Sequence, residues 1–330
     1  MSPFEVVVVG SYVQDHCWQT DRFPAPGESR IGRFTTGAGG KGFNQAIAAH
    51  RQGARTLFLG ALGDDAMAAT AKRFATDDGL DADWEIRRDA STAASSIVVD
   101  GEGRNLICVA LGANEKLSGN FVQRHQPEIA QARVLVCQLE CNLDATALAL
   151  RLARAANVTS LLNPAPINAG ISRDLVQAAD LLTPNETEFA HLMQQCFGCT
   201  LPARYWELPA ADLHALCRRT GVGTIILTLG EHGCLVSHAS GDQRGDTDAY
   251  YALPAEVVTV IDTTGAGDAF NGGLAAGLLR YADRPFRLAV QHANRVAALA
   301  VEKPGTAPAM PDFAAVRARF GDPLSSPGAR

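Results

Sequence analysis

Short runs of aliphatic and β-branched residues alternate along this chain with longer Ala/Leu-rich stretches whose apolar positions recur every three to four residues. Residues 6–9 are four consecutive valines, a run with no polar face, as in a strand buried on both sides. Residues 134–139, 159–162, 180–183, 224–229 and 234–237 carry the same signature, bounded by turn formers. Residues 44–52, 66–78, 143–156, 211–220, 269–280 and 286–301 have helical periodicity. This alternation predicts an α/β fold of three layers, a mostly parallel sheet with helices on both faces. Ligands of such sheets bind beyond the carboxyl ends of the strands.

Two segments break the rhythm. Residues 12–36 hold Pro24, Pro26, Gly27 and Gly32 among extended residues, and 94–111 alternates weakly about Asp100-Gly101-Glu102-Gly103, a hairpin signal. Together they predict a small β-sheet appended to the main one as a lid, inside one unit spanning 1–330. There is no internal repeat or long linker. The tail from Gly321, rich in Pro, Ser and Gly, is expected to fray.

With 330 residues, 47% of them apolar, a sizeable core is available and global disorder is excluded. The net charge of −6 comes without a Lys/Arg cluster, which argues against a nucleic-acid partner. A phosphate ligand must then be held locally, by backbone N–H groups and a metal. No apolar stretch approaches the ~20 residues of a membrane span, and the run at 6–9 lacks the basic flank of a signal peptide. The eight cysteines are scattered, mostly within apolar runs, as expected of reduced, buried thiols in the cytoplasm. Cys196-Phe-Gly-Cys199, with His191 before it, lacks the second ligand pair of a metal site and reads as two structural thiols.

Two glycine-rich segments carry the candidate chemistry. Gly37-Ala-Gly-Gly-Lys-Gly-Phe-Asn44 opens a helix. It fits the dinucleotide pattern G-x-G-x-x-G only out of position, and Lys41 is followed by Gly42, not the Ser/Thr of a P-loop. Its glycines admit close approach of a ligand to the backbone, while Lys41 and Asn44 add a cation and an amide. Asp262-Thr-Thr-Gly-Ala-Gly-Asp268 lies between an extended run at 256–261 and the helical stretch from 269. Free N–H groups at a helix N-terminus favour an anion, and a carboxylate beside them can accept the proton of an attacking hydroxyl. Phosphoryl transfer needs both. A plain N-cap aspartate would not account for Asp262 and both glycines.

Together these segments resemble the ribokinase-like (PfkB) family of carbohydrate kinases. The resemblance covers nearly the whole chain: Gly39-Gly-Lys-Gly-Phe-Asn-Gln-Ala46 and Asp262–Asp268 match its two signatures. Gly10-Ser11, Asp15, Phe23-Pro-x-Pro-Gly-Glu28, Gln138-Leu-Glu140, Asn163-Pro-Ala-Pro166, Thr183-Pro-Asn-Glu-Thr-Glu188 and Thr228-Leu-Gly230 follow in family order. The resemblance implies that Asp15, Gly40, Lys41, Asn44 and Glu140 hold the sugar hydroxyls. Asp268 would be the base, and Gly265, Ala266 and Gly267 the anion hole. Asn185 and Glu188 would act near the phosphates and Mg²⁺, and Thr228, Gly230 and Asn294 would line the ATP pocket with Asn185. A K⁺ ion would sit on Asp262 and on backbone oxygens near Thr264, Ala300, Lys303 and Gly305. Three positions depart from what is frequent in the family: Val13 replaces Asn, Phe43 replaces Ala and Ala309 stands where Ser is common.

The expected activity is therefore transfer of the ATP γ-phosphate to a sugar hydroxyl, with ribose as the first candidate. Another ketose, a sugar acid or a ribonucleoside is the alternative, since Val13 and Phe43 make the pocket less polar. A sugar-binding regulator is disfavoured by the intact Asp268 and its glycines. A dinucleotide oxidoreductase leaves 262–268 unexplained. An apolar face on the lid would need cover, so a homodimer through the lids is expected.

Overall fold

The four valines of β1 (Val6–Val9) are fully buried. Val6 and Val8 enter the hydrophobic cluster on one face of a sheet, and Val7 and Val9 the cluster on the other. The computed structural model describes residues 4–241 and 244–321. In chain order the further strands are β2 (Val13–Gln19), β3 (Arg33–Gly39), β4 (Thr56–Gly63), β5 (Asp81–Arg87), β6 (Ala94–Val99), β7 (Asn105–Ala110), β8 (Val134–Cys137), β9 (Thr159–Leu162), β10 (Leu181–Leu182), β11 (Thr224–Thr228), β12 (Cys234–His238) and β13 (Tyr250–Leu253).

Among the described residues they form a nine-stranded sheet ordered β13-β12-β11-β10-β9-β8-β1-β4-β5 and a four-stranded sheet ordered β3-β2-β6-β7. From β5 to β11 the large sheet is parallel; β12 and β13 close its far edge antiparallel. Helices cover both faces, as the alternation predicts. The small sheet joins the two irregular segments: β2 pairs antiparallel with β3 and parallel with β6. The hairpin β6–β7 turns where expected, with the Asp100 carboxylate accepting the N–H groups of Glu102 and Arg104.

Several boundaries differ from the sequence reading. The helices Lys41–Arg51 and Ala266–Arg280 each begin three residues earlier than their periodicity suggests. Gly42 and Gly267, poor helix formers, hide the first turns. Residues 256–261 pair with no strand; this loop is anchored by Ile261 N and Asp262 N donating to Val301 O. Strands β4, β5 and β13 were not anticipated. The helix Glu186–Phe197 does follow Asn185, with the reciprocal capping box of Asn185 and Glu188. All eight cysteines are free thiols; Cys108, on the outer strand of the small sheet, is exposed, contrary to the expectation of burial. The end of the tail, 322–330, lies outside the described residues. Among those described, no helix is long and apolar enough to cross a membrane.

Candidate active site

Gly10 and Ser11 follow β1, Gln138 and Glu140 follow β8, Asn163 follows β9, Thr183 follows β10, and Thr228 ends β11. β1 has β4 on one side and β8 on the other. The chain thus leaves it in opposite directions, which opens a crevice at the carboxyl ends of these strands.

Helices Lys41–Arg51 and Ala266–Arg280 meet above that crevice. A Cβ on Gly272 would fall 2.4 Å from Ala48 Cβ, so only glycine permits the approach. Their first turns are thereby joined. Asn44 Nδ2 and Gln45 Nε2 donate to the two oxygens of the buried Asp268 carboxylate, each at 2.9 Å. Gln45 is itself held: its Nε2 also reaches Asn163 Oδ1 at 3.1 Å, and its Oε1 accepts from Gln138 Nε2 at 2.7 Å. Asn163 Nδ2 donates to Thr183 O, Thr183 Oγ1 to Asn271 Oδ1, and Asn271 Nδ2 to Gly267 O. This buried chain runs from strand ends to the turn that carries Asp268. Asn44 Oδ1 is buried with no partner, an acceptor left for a ligand hydroxyl.

On the other side of the crevice, Glu140 accepts from Ser11 Oγ at 2.6 Å and from Lys41 N at 2.9 Å. Burial lifts Glu140 above the usual carboxylate range, with the Lys41 charge opposing it. Burial pulls Lys41 down, but the carboxylates of Asp268, Glu140 and Glu188 outweigh it and hold the ammonium above its ordinary value. Asp15 is also raised by burial, against hydrogen bonds from Ser95 and Thr306; Ser95 Oγ reaches it at 2.6 Å. Gly40, at φ 92°, lies where a Cβ would strike Val13 N at 2.5 Å. Val13 pairs with Gly39 and shares the Asp15 face of β2. Phe43, by contrast, is wholly in the core, edge-on to Tyr12 and Phe58. The expectation that Phe43 makes the sugar pocket less polar is therefore corrected: its side chain leaves the helix on the core side.

A cavity of about 140 Å³ brings together Lys41, Asn185, Glu188, Thr228, Gly265, Ala266, Gly267 and Asp268. The sequence reading assigned no role to five further lining residues, Asn163, Ala165, Thr183, Thr263 and Asn271, although all but Asn271 lie within the motifs. Gly230 and Asn294 do not line it; Asn294 reaches Cys234 Sγ and Pro254 O instead. Of the helix N-terminal N–H groups, that of Ala266 donates to Thr263 O, while that of Gly267 meets no acceptor among the described residues. The loops bearing the cation candidates adjoin: Asp262 accepts from Thr264 N and Gly305 N, each at 2.9 Å, and Lys303 N donates to Ala300 O.

A carboxylate oriented by two amides, an open helix N-terminus and a lysine among acids, gathered at one cleft, define a phosphotransferase acting on a hydroxyl. Residues 4–312 match the model of the pfkB family carbohydrate kinases, and the chain belongs to that family. It is 33% identical over 308 residues to a ribokinase of Haemophilus influenzae, covering 93% of this chain and 95% of the relative. It is 30% identical over 311 residues to a deoxyribokinase of Salmonella typhi, covering 94% and 96%. An Arabidopsis thaliana ribokinase complexed with ribose and ATP superposes with a TM-score of 0.82 at 25% identity, covering 99% and 100%. The protein is an ATP-dependent sugar kinase of this fold.

Proposed function

We propose that the enzyme transfers the γ-phosphoryl group of ATP to a hydroxyl of ribose, with Asp268 as general base. The observation that carries this is the Asp268 carboxylate, held by Asn44 and Gln45 beside the open N–H of Gly267. Asp268 takes the proton of the attacking hydroxyl. The N–H groups of Gly265–Gly267 and the Lys41 ammonium balance charge on the transferred group. Asp15, Gly40, Lys41, Asn44 and Glu140 orient the sugar. Thr228 and Asn185 face the nucleotide, with Gly230 and Asn294 further along its path.

The donor chemistry fits Mg²⁺ at Asn185 and Glu188. The capping box uses one oxygen of Glu188, and burial has raised this carboxylate, a cost that a dication offsets. Bound Mg²⁺ would neutralise phosphate charge. Asp262 keeps a lone pair on each oxygen beside the carbonyl-bearing loop 300–305, which suits K⁺. Trp18, Phe34 and Leu106 are exposed on one face of the small sheet; they support a homodimer in which two such sheets cover each other. Eight free thiols suit a reducing cytoplasm.

A second reading, 2-deoxyribose, is favoured by Val13: beside Asp15 it offers no hydrogen bond to a hydroxyl, and a deoxyribokinase is among the relatives. Measuring kcat/KM for ribose, 2-deoxyribose, fructose, 2-keto-3-deoxygluconate and inosine decides. Ribose at least tenfold above the others is expected. Turnover of inosine or the sugar acid above both pentoses defeats the proposal.

A further inference from the structure

The nine-stranded sheet has a second cavity at its opposite, amino-terminal edge. It measures about 270 Å³ and is lined by Arg133, Arg244 and Arg284, with Thr159 at its rim and Val134, Leu278, Phe286 and Ala289 among its apolar walls. Arg133 leads into β8 and Thr159 begins β9; Arg244 lies between β12 and β13, and Arg284 between the helices Ala266–Arg280 and Phe286–Ala300. Three separate segments of the chain thus each bring one arginine to the same hollow, in a protein of net charge −6.

None of the three forms an ion pair among the described residues, whereas Arg51, Arg104, Arg287 and Arg295 each do. Two acids that sense these charges are committed elsewhere. Glu5, which senses Arg133, is bound by Arg55 at 3.2 Å. Asp180, which senses Arg244, accepts from Ser160 N and Oγ, both at 2.8 Å. Arg244 is the telling member. It is partly buried, its ring neighbour is Phe286 with Cζ 5.9 Å from the centroid, and its Nε is buried with no hydrogen-bond partner. Its backbone is held at φ 55°, a conformation uncommon outside glycine. Burial lowers its proton affinity, with Asp180 only partly opposing. A guanidinium withdrawn from water without an acceptor is costly, and a fork of N–H donors over an apolar floor matches the oxygens of a phosphate or carboxylate.

We propose that this cavity is a second ligand site, separate from the catalytic cleft, that binds a small oxyanion of at least two negative charges. Arg244 forms its base, and Arg133 and Arg284 close on the ligand from the rim. The cavity also touches Leu278 and Leu279, in the last turn of the helix whose first turn carries Asp268. Occupancy therefore bears on the end of the element that positions the base.

The test is calorimetric titration of the full-length enzyme with pyrophosphate and, separately, with citrate. Wild type, Arg244→Met and the double variant Arg133→Ser/Arg284→Ser are compared. Any binding of pyrophosphate in the catalytic cleft is common to all three proteins. The arginine-dependent component is expected to weaken at least tenfold in the double variant and to vanish in Arg244→Met, while kcat of the double variant without added anion stays within twofold of wild type. Response to pyrophosphate alone assigns the site to phosphate esters, and to citrate alone to polycarboxylates. Crystals soaked in tungstate should show a heavy scatterer at Arg244. Identical isotherms in wild type and the double variant, or tungstate confined to the catalytic cleft, overturn the proposal. The exposed pair keeps the test decisive even where Arg244→Met fails to fold.

Discussion

Replacing Asp268 separates its chemical role from its structural one. Asp268→Asn removes proton acceptance but keeps shape. The new amide would face two amide donors, Asn44 Nδ2 and Gln45 Nε2. One of them can turn: Asn44 Oδ1 has no partner, so a flip of the Asn44 amide presents an acceptor to the new N–H. Stability should therefore stay within about 1 kcal/mol of wild type, the worth of one ordinary hydrogen bond. The rate should not: loss of a general base costs roughly 10²–10⁴-fold in kcat. Asp268→Ala behaves differently. Gln45 Nε2 still has Asn163 Oδ1, but Asn44 Nδ2 is left buried and unpaired, at a cost of about 1–3 kcal/mol. At roughly 2–4 °C per kcal/mol for a chain of this order, its midpoint should fall about 2–10 °C below that of Asp268→Asn. A coupled ADP-release assay and thermal denaturation of both variants check this. An Asp268→Asn enzyme within tenfold of wild-type kcat refutes the assignment of the base. Equal midpoints for the two variants refute the account of the amide clamp.

Exchanging Na⁺ for K⁺ at constant ionic strength should raise kcat, and Asp262→Ala should blunt that response; equal rates in both salts count against the cation loops. Val13→Asn should improve kcat/KM for ribose over 2-deoxyribose by about fivefold, from roughly 1 kcal/mol for one hydrogen bond, and no change on either sugar would show that Val13 does not face the ligand. Asp15 is raised by burial, so the folded state disfavours its charge: stability is lost as pH climbs from the unfolded value through the folded one. Asp15→Asn should hence raise the midpoint at pH 7.5, with the gain fading as pH falls and gone by about pH 4, while the KM for ribose rises; a midpoint difference independent of pH contradicts this. Light scattering at micromolar concentration should report a dimer that Trp18→Glu/Phe34→Glu dissociates, and a fully active wild-type monomer excludes the paired small sheets.

The pattern of apolar runs sufficed for β1 and the layered order, because four valines buried on both faces leave no polar position to confuse it. It failed at β5, Asp81–Arg87, where acids alternate at a sheet edge, and at the first turns of the two site helices, where Gly42 and Gly267 lower the helical signal; a Cβ on Gly42 would meet Ser11 N at 2.6 Å. The motifs named Asp268, Asn44, Lys41 and Glu140, which the fold gathers. The clamp of Gln45, Gln138, Asn163 and Asn271 was not legible as such. An amide reads as a surface residue until the strand ends that bury it are brought together. Phe43 was misread for the converse reason: on a helix it points about 100° away from Asn44 and about 160° away from Lys41.

The position of β1 as switch point divides the cleft by origin in the sequence. Ser11, Asp15, Lys41 and Asn44, with Ser95 behind Asp15, come from the first third of the chain; Asn163, Thr183, Asn185, Thr228 and Asp268 come from the remainder. Four residues cross the divide: Lys41 lines the cavity around Asp268, Asn44 donates to the Asp268 carboxylate, Glu140 accepts from Lys41 N, and Thr306 reaches Asp15. Under the proposed function, substitutions in β2, β3 and β6 would alter the acceptor side of the cleft while Asp268 and its glycines stay untouched. A lineage built on this plan can change its diet without relearning its chemistry, and a protein engineer can exchange residues 13–39 and 94–111 as a cassette, leaving Lys41 and Asn44 in place.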